Sequence, residues 1–112
     1  MKKNILGVTL ARGGSKGIKN KNLTVINGKP LIYYTIKEAK KSKNITNYIV
    51  STDNDKIRNI AQKYKAEVPF IRPKKFSKDS SSSASALKHS LIKCEKYYNK
   101  KFDYVVELMA TN

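Results

Sequence analysis

The sequence predicts an α/β protein with a mainly parallel sheet. Short runs that are apolar on both faces, beginning with Ile5 to Leu10, alternate along the chain with segments of helical apolar spacing. A glycine-rich basic segment directly follows the first such run, where a parallel sheet offers its carboxyl end to ligands.

The elements follow in order. Ile5 to Leu10, "ILGVTL", has the continuous apolar character of a central strand. Asn27-Gly28-Lys29-Pro30 predicts a turn, with Pro30 suited to a first helical turn. Leu31 to Lys41 predicts a helix that buries Ile32, Ile36 and Ala39. Tyr48 to Ser51 predicts a second strand. Asp53 or Asn54 can cap the next helix, Asp53 being expected to cap rather than to serve as the metal ligand that its place at a strand end would allow, and Ile57, Ile60, Ala61 and Tyr64 form its buried face. Glu67 to Ile71 predicts a short third strand, placed at an edge or a strand end by Pro69. After a loop from Arg72 to Ser82, Ser83 to Asn99 predicts a helix with Ala84, Leu87, Leu91, Cys94 and Tyr98 on one face. Tyr104 to Leu108 predicts the fourth strand. The order βαβαβαβ implies right-handed crossovers within one sheet.

A chain of 112 residues makes one domain at most, yet is long enough to bury a core without disulfides. Its single cysteine, Cys94, fits a reducing compartment and lies on an apolar helical stripe, which makes it a core residue. No signal peptide is evident and no run reaches membrane-spanning length, so a cytoplasmic protein without a membrane partner is expected. The net charge of +16 raises a nucleic-acid alternative. Against it, the excess is nearly all lysine, with arginine only at Arg12, Arg58 and Arg72, whereas planar recognition of phosphate or guanine favours arginine. We therefore expect no specific nucleic-acid partner. Tyr33, Tyr34, Tyr97 and Tyr98 are expected to pack rather than stack on bases, and His89 to lie exposed and idle.

The segment "LARGGSKGIKNKNL", Leu10 to Leu23, carries the chemistry. Gly13, Gly14 and Gly17 allow a tight turn and close approach of backbone N–H groups to an anion. Arg12, Lys16 and Lys21 add cations that could neutralise a triphosphate. The spacing fits neither G-x-x-x-x-G-K-[ST] nor G-x-G-x-x-G, so neither a Walker loop nor a dinucleotide fingerprint is indicated. The residues alone leave a phosphate site and a plain surface loop both open.

This segment resembles the N-terminal signature of the acylneuraminate cytidylyltransferases, the CMP-sialic acid synthetase family. The resemblance returns at "YIVSTDNDKI" (Tyr48 to Ile57) and at "IRPKKFSKDSSSSAS" (Ile71 to Ser85), and so spans the chain in three ordered blocks. CMP-KDO synthetases usually carry Ser-Arg-Leu and Lys-Pro-Leu in the first block. Ser15-Lys16-Gly17 and Lys21-Asn22-Leu23 favour the acylneuraminate branch.

The resemblance implies a Rossmann-like nucleotide-sugar transferase fold with a mainly parallel sheet. It implies that a nonulosonic, sialic-acid-like sugar attacks the α-phosphate of CTP to give a CMP-sugar and pyrophosphate, with Mg²⁺ sharing the charge. It assigns Arg12, Lys16 and Lys21 to the triphosphate as catalytic cations. Gly13, Gly14, Ser15, Gly17 and Asn22 would bind nucleotide, and Arg72, Ser81 and Ser83 would lie near cytosine and ribose. The family's Gln-Pro-Thr-Ser-Pro after the fourth strand is here Met109-Ala110-Thr111-Asn112. Thr111 alone agrees and is the expected sugar contact, so the sugar is expected to be a different nonulosonic acid, such as a legionaminic-type one. Residues 1–112 are expected to be the N-terminal, nucleotide-binding part of the fold, inactive alone. The Mg²⁺ ligands, much of the sugar pocket and a homodimer contact would lie in a further half. The alternatives are a nucleotidyltransferase for another sugar such as KDO, and a noncatalytic basic module that binds polyanions.

Overall fold

The computed structural model describes residues 3–12, 21–76 and 83–109. Strand β1 is Ile5–Leu10. A hairpin of β2 (Val25–Ile26) and β3 (Lys29–Pro30) leads into helix α1, Leu31–Lys41. Strand β4, Asn47–Ser51, and helix α2, Asp55–Lys63, follow. Helix α3 is Ser83–Tyr98 and strand β5 is Tyr104–Glu107. The main sheet has the order β4-β1-β5, and both of its pairings are parallel. Among the described residues, the Rossmann-like α/β expectation therefore holds in its order of elements.

Polar side chains at the amino ends pin the sheet's register. Asn4 and Asp103 clasp each other: the Asp103 carboxylate accepts from Asn4 N at 2.8 Å, while Asn4 O accepts from Asp103 N at 2.7 Å. On the other side, Thr46 Oγ1 accepts from Ile5 N at 3.0 Å and Ile5 O accepts from Thr46 N at 2.9 Å. Both neighbours thus start level with β1, and Leu10 and Ser51 end side by side.

Each face of the sheet has its own core. Leu6, Val8 and Ile49 pack with Cys94, Leu87 and Leu91 beneath α3. Ala11 and Val50 pack with Ile32, Ile36, Ile57 and Ala61 beneath α1 and α2. This alternation along β1 and β4 is the period-two consequence of a strand covered on both sides. Gly7 makes space for its neighbours on the α1 side. A Cβ built there would lie 3.1 Å from Ile45 methyl carbons and 3.2 Å from Leu108 Cδ1.

Four details correct the sequence expectations before α3 is reached. The Asn27-Gly28 turn closes a hairpin, with φ of 52° and 81° at the two residues, the positive values that a two-residue type I′ connection needs. Pro30 precedes α1 rather than entering it. The third predicted strand is reduced to a parallel bridge between Glu67 and Ile49, because Pro69 has no N–H to continue the ladder. Val50 N still donates to Glu67 O, and Arg72 N to Thr52 O, so the segment runs beside β4. The cap of α2 is Asn54, whose Oδ1 accepts from Ile57 N at 3.0 Å, and not Asp53.

A fifth correction concerns α3. It buries Ala86, Ser90 and Cys94, and Ala84 is exposed. Small residues at i, i+4 and i+8 let the helix axis come close to the sheet, which rotates Leu87 and Leu91 to the flank. The Ser90 hydroxyl can be buried there because it donates to Ala86 O at 3.0 Å. Cys94 is core as expected. Tyr33 packs as expected, meeting Tyr64 edge-on at 4.8 Å between ring centroids, whereas Tyr97 is 62% exposed. No helix among the described residues is long and apolar enough to cross a membrane.

Helix α2 ends in a Schellman turn. Ala66 N donates to Ala61 O and Lys65 N to Gln62 O, with Lys65 held at φ 71°. Lysine meets its own Cβ there, whereas glycine does not. Lys65→Gly is therefore expected to raise stability by roughly 0.5–1 kcal/mol, measured by urea unfolding. Gly7→Ala is expected to cost about 1–3 kcal/mol in the same assay, because Ile45 and Leu108 must move aside.

Candidate functional site

β1 lies between β4 and β5; the chain passes from β1 to β4 through α1 on one face of the sheet and reaches β5 from α3 on the other. The direction of chain progress across the sheet thus reverses at β1, and parallel α/β sheets bind ligands beside the carboxyl ends of the strands at such a point. Three segments meet at this end. Ala11 N donates to Ser51 O at 3.0 Å, which carries the β1–β4 pairing up to Arg12. Thr52 is fully buried after β4, and its Oγ1 accepts from Asn54 N at 3.1 Å. After β5, Leu108 N donates to Val8 O, and Met109 O accepts from Thr35 of α1.

Arg72 is the unusual residue of this region. Its N–H is fixed to Thr52 O at 2.8 Å and the residue is only 2% exposed. Nε and Nη2 are buried without a hydrogen-bond partner among the described residues. Burial lowers its pKa below the usual guanidinium value, Asp53 pulls it back, and Arg12 lowers it again. Arg12 and Asp53 are thus close enough to act on it. A guanidinium remains cationic at neutral pH, so the site holds a buried cation whose donor capacity is not fully used. Such groups are costly unless something else completes them. The Ser51 hydroxyl, at the same end of β4, is also buried without a partner among the described residues.

The other sequence-predicted positions divide clearly. Arg12 is half-buried, and its charge acts on Arg72. Lys21–Leu23 forms a short 3-10 turn. Asn22 is 4% exposed within it, and Leu23 packs on the core beneath α1, so the end of the glycine segment is anchored to the framework. Ser83 opens α3 and is exposed. Gly13, Gly14, Ser15, Lys16, Gly17, Ser81 and Thr111 lie outside the described residues. Among the described residues, no group of three or more His, Cys, Asp or Glu side chains could hold a metal ion. Asp53 is one carboxylate there, and its charge acts on Arg72.

Sequence reasoning missed the burial of polar atoms at two residues, Ser51 and His89. Ser51 carried a usable signal, as a polar residue closing a strand that is apolar on both faces. His89, expected to be exposed, is half-buried and sits edge-on to Phe70, with ring centroids 5.1 Å apart. The rotation of α3 onto its small residues brings it there.

Residues 6–112 match the family model described as Cytidylyltransferase. The chain belongs to the cytidylyltransferase family. The acylneuraminate-type resemblance is borne out by relatives. The CMP-N,N'-diacetyllegionaminic acid synthase of Campylobacter jejuni subsp. jejuni serotype O:2 is 38% identical over 107 residues, covering 96% of this chain and 46% of that protein. The N-acylneuraminate cytidylyltransferase of Escherichia coli O18:K1:H7 is 38% identical over 91 residues, 81% of this chain and 22% of that protein. This cytidylyltransferase chain thus spans less than half the length of these curated relatives. A solved CMP:2-keto-3-deoxy-manno-octonic acid synthetase complexed with CTP superposes with a TM-score of 0.77 at 20% identity, over 96% of this chain and 40% of that one. That likeness establishes the shared fold.

Arg72 is placed at some cost to the ligand-free cytidylyltransferase fold. Arg72→Met is expected to leave the thermal midpoint of the ligand-free protein unchanged or raised, because an apolar side chain of similar length removes a buried charge. A clear fall in midpoint would show instead that the guanidinium is fully compensated within the protein.

Proposed function

We propose that this chain forms the nucleotide-binding part of a cytidylyltransferase that activates a nonulosonic acid sugar with CTP, releasing pyrophosphate. The observation that carries it is the buried, incompletely partnered Arg72 at the carboxyl end of the sheet, in reach of Arg12 and Asp53.

The chemistry of Arg72 favours cytosine. Arginine donates hydrogen bonds and accepts none. Cytosine presents acceptors at O2 and N3, whereas uracil presents an N3–H donor that would face the arginine's donors unpaired. A site built to pair a base edge discriminates strongly against a base that leaves groups unpaired. Ser81 and Ser83 would add hydroxyl contacts to base and ribose. Arg12, Lys16 and Lys21 would neutralise the triphosphate, with backbone N–H groups of Gly13 to Gly17 and Asn22 completing the cradle. The anomeric hydroxyl of the sugar then attacks the α-phosphate and pyrophosphate leaves. Mg²⁺ supplies charge neutralisation in this proposal, with its ligands outside the described residues.

The C. jejuni relative, named for N,N'-diacetyllegionaminic acid, favours a legionaminic-type sugar, with Thr111 as a sugar contact. Cytoplasmic work on a CTP pool and a homodimeric full-length protein complete the proposal. Calorimetric titration of CTP, UTP and ATP tests it. CTP is expected to bind at least about tenfold more tightly than UTP. Arg72→Lys should erase that preference, and Lys16→Ala with Lys21→Ala should weaken CTP and UTP alike. Equal, steeply salt-dependent binding of all three nucleotides would instead identify a basic polyanion-binding module.

A further inference from the structure

We infer that a recess between α1 and the end of α2 is a second binding site, which takes a compact aromatic carboxylate. None of the residues assigned to the nucleotide lines it, so the inference does not rest on the proposed function. The recess has a volume of about 290 Å³ and is lined by Tyr33, Ile36, Lys37, Lys40, Lys41 and Tyr64. Ile36 is 1% exposed and belongs to the core beneath the helices. The two tyrosine rings meet with 65° between their planes. A planar ring entering the recess would cover apolar surface and find aromatic partners there.

The charge around the recess has one sign. Its lining carries Lys37, Lys40 and Lys41 and no carboxylate. Further lysines overlook the rings. Lys29 Nζ lies 5.5 Å from the Tyr33 centroid and 5.8 Å from that of Tyr64, and Lys63 Nζ lies 5.6 Å from the Tyr64 centroid. Among the described residues, none of these lysines forms an ion pair. Lys40 is also held in place, because its Nζ donates to Lys65 O at 3.0 Å, in the turn that ends α2. An ammonium has three N–H donors, so that bond leaves two for a ligand. Unpaired cations at an apolar recess repel a cationic ligand, and a neutral ring gains burial alone. An aromatic carboxylate gains burial and attraction together. Its charge belongs close to its ring, because lysines and tyrosines line one small recess.

Backbone amide chemical shifts of the nucleotide-free protein test the inference, with naphthoate, naphthalenemethanol and acetate as probes at low salt. Naphthoate should shift the amides of the residues that line the recess in a saturable way. It should bind roughly tenfold more tightly than naphthalenemethanol, and acetate should produce no saturable shift. Lys37→Gln combined with Lys41→Gln should reduce that preference to about twofold and leave naphthalenemethanol binding unchanged. Lys88→Gln combined with Lys96→Gln removes the same charge from α3 and should leave the preference intact. All four lysines are exposed, so both double variants are expected to fold. Equal binding of naphthoate and the alcohol, shifts centred elsewhere, or the same loss in both double variants overturns the inference. Tighter binding of UMP than of naphthoate at these amides overturns the aromatic-carboxylate assignment in favour of a nucleoside phosphate.

Discussion

Parallel pairing of β1 on both sides, in a register pinned at the amino ends, is the constraint on which the rest of the molecule depends. The Asn4–Asp103 clasp sets β5, and the Ile5–Thr46 exchange sets β4. A slip of one residue would send Leu6 and Val8 to the α1 face and Thr9 to the α3 face. It would also break the short bond between Thr9 Oγ1 and the Tyr48 hydroxyl at 2.6 Å, which lets two polar groups share a buried position beneath α1. Burial pushes the Tyr48 hydroxyl up to about 12, and the Thr9 bond pulls against that shift. Register errors are therefore penalised by both the apolar and the polar contents of the sheet. With the amino ends level, the carboxyl ends are level too, and Arg12, Asp53 and Arg72 come together although they are distant in sequence.

The cost of that convergence falls on Arg72. Its backbone is held by the framework at Thr52 O, while its side chain is removed from water without full compensation among the described residues. Folded proteins usually avoid this, since a buried charge contributes specificity more readily than stability. Where local rules are broken in an otherwise consistent fold, function is the usual reason. The remainder of the fold obeys those rules closely. Helix α2 has an asparagine cap and a Schellman end, the hairpin turn is Asn-Gly, and α3 docks through small residues.

Most of the framework was legible in the sequence because it is built from local, periodic signals. The apolar run of β1, the Ile32-Ile36-Ala39 stripe of α1 and the Ile57-Ala61 stripe of α2 each specify an element and its buried face. Three things were not legible, each for a tertiary reason. Whether Glu67 to Ile71 forms a ladder depends on which of its N–H groups face β4, and Pro69 withdraws one of them. The buried face of α3 was misjudged because hydrophobicity points to Leu87 and Leu91, whereas close packing is decided by the size of Ala86, Ser90 and Cys94. His89 changed from an expected surface residue to a half-buried one against Phe70 through that same rotation. The candidate site was legible mainly as motif: Arg12, Asn22 and Arg72 could be named, but the burial of Arg72 and the neighbourhood of Asp53 required the fold.

On the proposed function, base recognition and triphosphate neutralisation make different physical demands, and the chain assigns them to different kinds of element. Attraction between a cation and a polyphosphate falls off slowly with distance and tolerates a range of geometries. It can be entrusted to lysines along a glycine-rich connection. Hydrogen bonding to a base edge is lost over a few tenths of an ångström and some tens of degrees, so its donor has to be fixed by the framework. Arg72 meets that demand, with its backbone bonded to Thr52 O and its side chain buried.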